Sequence, residues 1–149
     1  MIVRGAACNR YYLSKLGVTH VLNAAEGQRN GTVDTDKVRV LGGEDDFQFM
    51  NHIIIFQNFY EPWGITYKGL KLLDVPQTNI ALHFTDVTEF IDKALTGGGK
   101  VLVNCEMGMS RSSTCVLAYL ILRHKMTAGE ALAKVGGIVR WGVLVDTQP

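Results

Sequence analysis

The run from Val101 to Ser112, VLVNCEMGMSRS, constrains this chain more tightly than any other segment. Lys100–Asn104 is apolar and partly β-branched, the composition of a buried strand. It ends at Cys105. Gly108 then allows a turn that a Cβ would obstruct, and a helix follows over 111–124, with Val116, Leu117, Leu120 and Ile121 on one face. A strand that runs through a short turn into a helix is the repeating unit of α/β domains, whose ligands lie beyond the carboxyl ends of the strands. Cys105 and Arg111 fall at such an end.

The rest of the chain repeats the alternation. Residues 9–16 read as a short helix stopped by Gly17, and Val18–Leu22 as a buried strand. Asn23–Lys37 is polar and reads as a loop. Ile65–Leu72 reads as a strand, with Gly69 marking a bulge. Ile80, Phe84, Val87, Ile91 and Ala94 recur at helical spacing, giving an amphipathic helix over 80–95 that ends at Thr96-Gly-Gly-Gly99. Thr127 and Glu130 form a capping box for a last helix at 128–135. The expected fold is α/β, a central and mostly parallel sheet flanked by helices.

At 149 residues the chain is one domain long. Its net charge of +1 points neither to nucleic acid nor to a membrane surface. No apolar run approaches the roughly 20 residues of a membrane-spanning helix. The start, Met1-Ile-Val-Arg4, lacks the shape of a signal peptide. Three cysteines, Cys8, Cys105 and Cys115, without a CxxC spacing, suit neither a disulfide framework nor a zinc knuckle. The expected setting is a reducing compartment, cytoplasmic or nuclear.

The Cys105–Arg111 turn has a chemistry of its own. Orphan N–H groups at a helix N-terminus hold anions and favour a thiolate. The planar fork of Arg111 can grip two phosphate oxygens where a lysine ammonium could not. A buried structural cysteine beside a surface arginine is the plainer reading of such a pair. The strand, glycine, Ser-Arg-Ser run and helix together argue against it. The Gly-Lys-Ser/Thr ending of a nucleotide-binding loop is missing. His20 reads as a satisfied core histidine, Cys115 as core, and Asp86, Asp92, Lys93, His83 and His124 as surface groups.

With these residues in view, the segment resembles the signature loop of cysteine-dependent protein tyrosine phosphatases, and more closely that of the dual-specificity phosphatases. Leu16–Gly27, Phe59-Tyr60 with Gly64–Tyr67, Leu73–Ile80, Val116–Leu120, and Met126-Thr127 with Glu130-Ala131 carry the likeness further. It covers about residues 5–37 and 58–135. The resemblance implies a hydrolase acting on phosphotyrosine and phosphoserine or phosphothreonine in proteins through a phosphocysteine intermediate. Cys105 would be the nucleophile, Arg111 the phosphate ligand, Ser112 the hydroxyl that steadies the thiolate, and Asp74 the general acid. Glu106, Met107, Gly108, Met109 and Ser110 would line the phosphate cup with Arg111. No metal or other cofactor is implied. Phosphorylated proteins, and protein kinases among them, are the implied partners.

The chain departs from the family pattern at three places. Asn104 stands where the family carries a histidine that helps to activate the thiol, which implies weakened activity. Residues 38–57 form an unmatched insert, apolar and β-prone at its end. The tail 136–149 is atypical and lacks the final helix of the pattern, which implies reduced stability. Residues 1–149 are thus expected to form a single, divergent domain. A phosphatase-like module that binds phosphoproteins or kinases without turnover stays open as the alternative, as does a chain with no stable fold.

Overall fold

The computed structural model describes residues 7, 9–26, 57–105, 110–136 and 143–146. Helix α1 (Arg10–Leu16) starts where the Asn9 side chain accepts a hydrogen bond from the Tyr12 amide, and it ends at Gly17, whose φ of 69° suits the left-handed cap. Strand β1 (His20–Asn23) follows. Val18 and Thr19, expected in the strand, belong to the bend instead, because the Val18 amide is taken by the Leu13 carbonyl of α1.

A short helix α2 (Gln57–Tyr60) and a 3-10 turn (Glu61–Trp63) lead into β2 (Thr66–Gly69). The strand is shorter than the expected Ile65–Leu72, and Gly69 is no bulge, since it pairs in register with Asn23. The shortening has a local cause. The Leu72 amide bonds the Leu70 carbonyl at 2.9 Å, a tight bend that leaves the sheet. The expected helix over 80–95 divides into a 3-10 turn (Ile80–His83), capped by the Asn79 side chain, and α3 (Phe84–Thr96). Strand β3 (Val101–Asn104), α4 (Ser110–His124), α5 (Ala128–Gly136) and β4 (Val143–Val145) complete the order.

The sheet runs β2-β1-β3-β4. β1 pairs parallel with both β2 and β3, whereas β4 is antiparallel to β3. The described part of the tail therefore adds a strand that was not foreseen. The insert at 38–57 lies outside the described residues except for Gln57, which opens α2.

The two faces of the sheet bury different cores. Leu22, Val101 and Val103 face Val87 and Ile91 of α3, Cys115, Val116 and Leu120 of α4, and Ala131 and Val135 of α5. Val21 and Leu102 face Leu13 and Tyr60 on the other side. The alternation along each strand is what sorts these residues. Helix α4 touches α3, α5, β3 and β4, so its buried stripe is wider than the expected face. Cys115, Ala118 and Tyr119 are inside, while Ile121 is 36% exposed. The capping box of α5 forms as expected: Thr127 Oγ1 and its amide both donate to Glu130 Oε2, and the Glu130 amide donates to Thr127 Oγ1. Among the described residues no helix is long and apolar enough to cross a membrane.

Candidate active site

Parallel pairing brings the carboxyl ends of β1, β2 and β3 to one edge, and main-chain bonds continue beyond the strand ends. The Ala24 amide donates to the Asn104 carbonyl at 2.8 Å, Leu70 to Asn23 at 2.8 Å, and Glu26 to Leu70 at 3.0 Å. The segments that leave the three strands are thereby held side by side. Cys105 lies immediately beyond β3.

Cys105 is 2% exposed, and its Sγ lies 3.2 Å from Ser112 Oγ, itself fully buried in the first turns of α4. Arg111, one residue earlier in α4, is buried as well. Its Nη1 donates to the Leu72 carbonyl at 2.9 Å and its Nη2 to Asp74 Oδ2 at 3.2 Å. The Asp74 side chain is 60% exposed while that of Arg111 is 7% exposed, so the ion pair has one wet partner and one dry one. Cys105, Arg111 and Ser112, close together in the chain, thus meet Asp74, which lies 37 residues from Arg111. Ser110 opens α4 and is exposed. Glu106, Met107, Gly108 and Met109 lie outside the described residues.

Two cysteines that look alike in sequence differ in chemistry. Both are free thiols. Burial, reinforced by the neighbouring Cys105, pushes the Cys115 thiol up to about 12, so that group stays protonated and inert. Asn104, in register with Asn23, is also buried, and its Oδ1 accepts no hydrogen bond among the described residues. The remaining polar groups behave as surface or packing groups. His20 bonds Thr19 Oγ1 at 2.8 Å and meets Phe90 edge-on, His124 bonds the Tyr119 hydroxyl, and Asp86 pairs with Lys68 at 3.7 Å.

Two features of the site have no signature in the sequence. The Leu72 carbonyl that grips Arg111 is a backbone atom, and nothing in a leucine marks it. The second is a side-chain chain at the end of β1 and β2: Asn23 Nδ2 donates to the Tyr67 hydroxyl at 3.2 Å, and Tyr67 donates to Glu26 Oε1 at 3.1 Å. Burial holds the Tyr67 phenol well above its ordinary value. The Glu26 carboxylate lies directly over the Cα of Gly69, where a Cβ would collide with it. The Leu-Asn-Ala-Ala-Glu run was legible as part of a resemblance, but this contact was not.

A buried thiol at a strand end, a hydroxyl and a guanidinium from the next helix, and a carboxylate across the guanidinium define the cysteine-dependent phosphatase class. Comparison with known proteins narrows it. Residues 5–141 match the family model of the dual specificity phosphatase catalytic domain. The chain is 39% identical over 130 residues to dual specificity protein phosphatase 26 of Homo sapiens, covering 87% of this chain and 50% of that protein. The Mus musculus counterpart matches to the same extent. This chain therefore belongs to the dual specificity phosphatase family, and it spans about half the length of the curated relatives it matches. In fold it is similar to human DUSP28, with a TM-score of 0.62 at 19% identity, covering 89% of this chain and 70% of that one. It is also similar to the human tyrosine phosphatase-like serine/threonine/tyrosine-interacting protein, with a TM-score of 0.55 at 29% identity, covering 84% and 67%.

Proposed function

We propose that this single domain hydrolyses phosphate monoesters of tyrosine and of serine or threonine in proteins. The observation that carries the reading is the convergence of Cys105, Ser112, Arg111 and Asp74, with sulfur and hydroxyl 3.2 Å apart and guanidinium and carboxylate 3.2 Å apart. In the first step Cys105 attacks phosphorus as the thiolate, and the S–P bond forms. The P–O bond to the protein breaks, and the leaving oxygen takes the proton of the Asp74 carboxyl. In the second step Asp74, now a carboxylate, takes a proton from water. The water oxygen attacks phosphorus, the P–S bond breaks, and inorganic phosphate leaves. Arg111 binds the phosphoryl oxygens, and Ser112 donates to the sulfur as it departs. Glu106–Ser110 supply the cup through their amides, and the arginine with those amides supplies the positive field that the transferring group requires.

A binding module without turnover is the second reading, favoured by Asn104 at the histidine position. The retained thiol, hydroxyl, arginine and carboxylate argue against it, since loss of turnover needs only one of them replaced. Among the described residues two free thiols, one of them in the site, fit a reducing cytoplasmic or nuclear setting. Hydrolysis of a small aryl phosphate by the purified chain tests the proposal, with Cys105→Ser as the control. Turnover abolished by that change is the expected result. Phosphopeptide binding with no turnover by the unaltered chain would favour the module.

A further inference from the structure

Leu73 and Val75 are 60% and 46% exposed. An exposed leucine is ordinary on a protein surface. The position of these two is what matters, because they bracket Asp74, whose carboxylate lies 3.2 Å from Arg111. We infer that Leu73 and Val75 read the residues on either side of the phosphorylated one, so that phosphopeptides with branched aliphatic flanks are preferred to those with acidic flanks. The inference rests on Asp74 acting as the general acid, as proposed above, and adds the substrate class.

The geometry follows from the acid's task. A proton donor must come within about 2.6–3.2 Å of the leaving oxygen. The phosphorylated residue therefore passes Asp74. Adjacent Cα atoms are about 3.8 Å apart in the protein and in the peptide alike. The substrate chain on either side of the phosphorylated residue therefore borders the segment in which Leu73 and Val75 flank Asp74, both of them exposed. The protein side of this contact is fixed at both ends. The Leu72 carbonyl is held by Arg111, and the Thr78 amide bonds the Val75 carbonyl at 3.0 Å. Pro76 removes a further degree of freedom.

Along the segment itself, charge gives no competing preference. From Leu70 to Ile80 the chain carries one lysine, Lys71, and one carboxylate, Asp74. That balance leaves apolar contact as the discriminating term. Covering two partly exposed aliphatic side chains corresponds to about a fivefold preference in kcat/KM, less than the effect of a closed pocket.

Two phosphotyrosine peptides test this, one with leucine before and valine after the phosphorylated residue, the other with glutamate before and aspartate after. The ratio of their kcat/KM values is measured for the full chain and for the Leu73→Ser, Val75→Ser double variant. A ratio internal to each preparation is unaffected by loss of folded protein. The full chain is expected to favour the aliphatic peptide by about fivefold, and the double variant to bring the ratio near one. A ratio near or below one in the full chain, or a ratio kept by the variant, overturns the inference. A small aryl phosphate separates the two claims. If it and both peptides resist turnover, the catalytic reading falls. The ratio of the peptides' dissociation constants, measured by calorimetry on the full chain, then decides the contact by the same criteria.

Discussion

Arg111 should be held in place by Leu72 more than by Asp74, and the two contacts can be separated. The Leu72 carbonyl belongs to a residue 1% exposed and accepts from Arg111 Nη1 at 2.9 Å. A hydrogen bond from a charged donor is worth about 1.5–3 kcal/mol, and a buried carbonyl left without its donor costs about 1–3 kcal/mol. A lysine at this position has one ammonium, which cannot span the carbonyl and the carboxylate as the fork does. Arg111→Lys is therefore expected to cost about 2 kcal/mol of stability. The Asp74 contact is weaker, because its carboxylate is 60% exposed and water screens it. Asp74→Asn also keeps an oxygen that can accept from Nη2. Its expected cost is below about 0.5 kcal/mol.

Urea unfolding followed by tryptophan fluorescence distinguishes the two variants. With a slope of about 1–3 kcal/mol per molar urea, the Arg111→Lys midpoint should fall by roughly 1 M and that of Asp74→Asn should hardly move. Activity should show the opposite lack of correlation with stability: Asp74→Asn should lose about 10²–10⁴-fold in kcat on an ester with a poor leaving group while staying folded. An Asp74→Asn midpoint as low as that of Arg111→Lys would refute the assignment of Leu72 as the main anchor. So would an Arg111→Lys midpoint equal to that of the unaltered chain.

Four further outcomes are expected. Thr127→Ala removes the Oγ1 that Glu130 both bonds and is bonded by, and should cost about 1 kcal/mol in the same urea titration. The Thr127 bonds lower the Glu130 carboxyl below its ordinary 4.5, so their stabilisation is present above that pH and is lost as pH falls through the lower folded value; a melting series from pH 6 to pH 3 should steepen less in Glu130→Gln than in the unaltered chain. Cys115, with its thiol at about 12, should escape iodoacetamide at pH 8 in the native protein, and recovery of that label by peptide mapping would contradict its burial. Gly69→Ala should displace the Glu26 carboxylate from the Tyr67 hydroxyl and lower the melting temperature, whereas unchanged melting would mean that the carboxylate moves aside at no cost.

The sequence revealed this site unevenly, for physical reasons. Cys105, Arg111 and Ser112 are close in the chain, and a strand, a turn and a helix are local structures with local signals, so that part was legible. The strand ends were less so. β2 stops at Gly69 because the Leu72 amide turns back on Leu70, a main-chain event that Leu-Lys-Leu-Leu does not announce. The helix expected over 80–95 begins as a 3-10 turn because Asn79 caps the Ala81 amide two residues on. The partner of β3 in the tail was missed because Val143–Val145 is three residues long, too short for any periodicity to register. Asp74 was placed by resemblance alone, since nothing in Asp-Val-Pro distinguishes an acid from a turn.

The dependence of the site on backbone atoms decides how it can fail. Ala24, Leu70 and Glu26 lock the three loops with amide-to-carbonyl bonds that no substitution short of proline removes, and the Leu72 carbonyl accepts from the Arg111 side chain. Replacing Cys105, Ser112 or Asp74 is thus expected to remove a group of the proposed mechanism while leaving the frame that positions the others. Arg111 differs, because under the proposed mechanism it binds phosphate, and it is also the buried donor that keeps the Asp74 segment in place. Its loss should therefore reduce binding, acid catalysis and folding together, while losses at the other three positions stay confined to chemistry. That asymmetry is the physical content of the urea and kinetic comparison, and it follows from one arginine that bonds a carbonyl in the interior and a carboxylate at the rim.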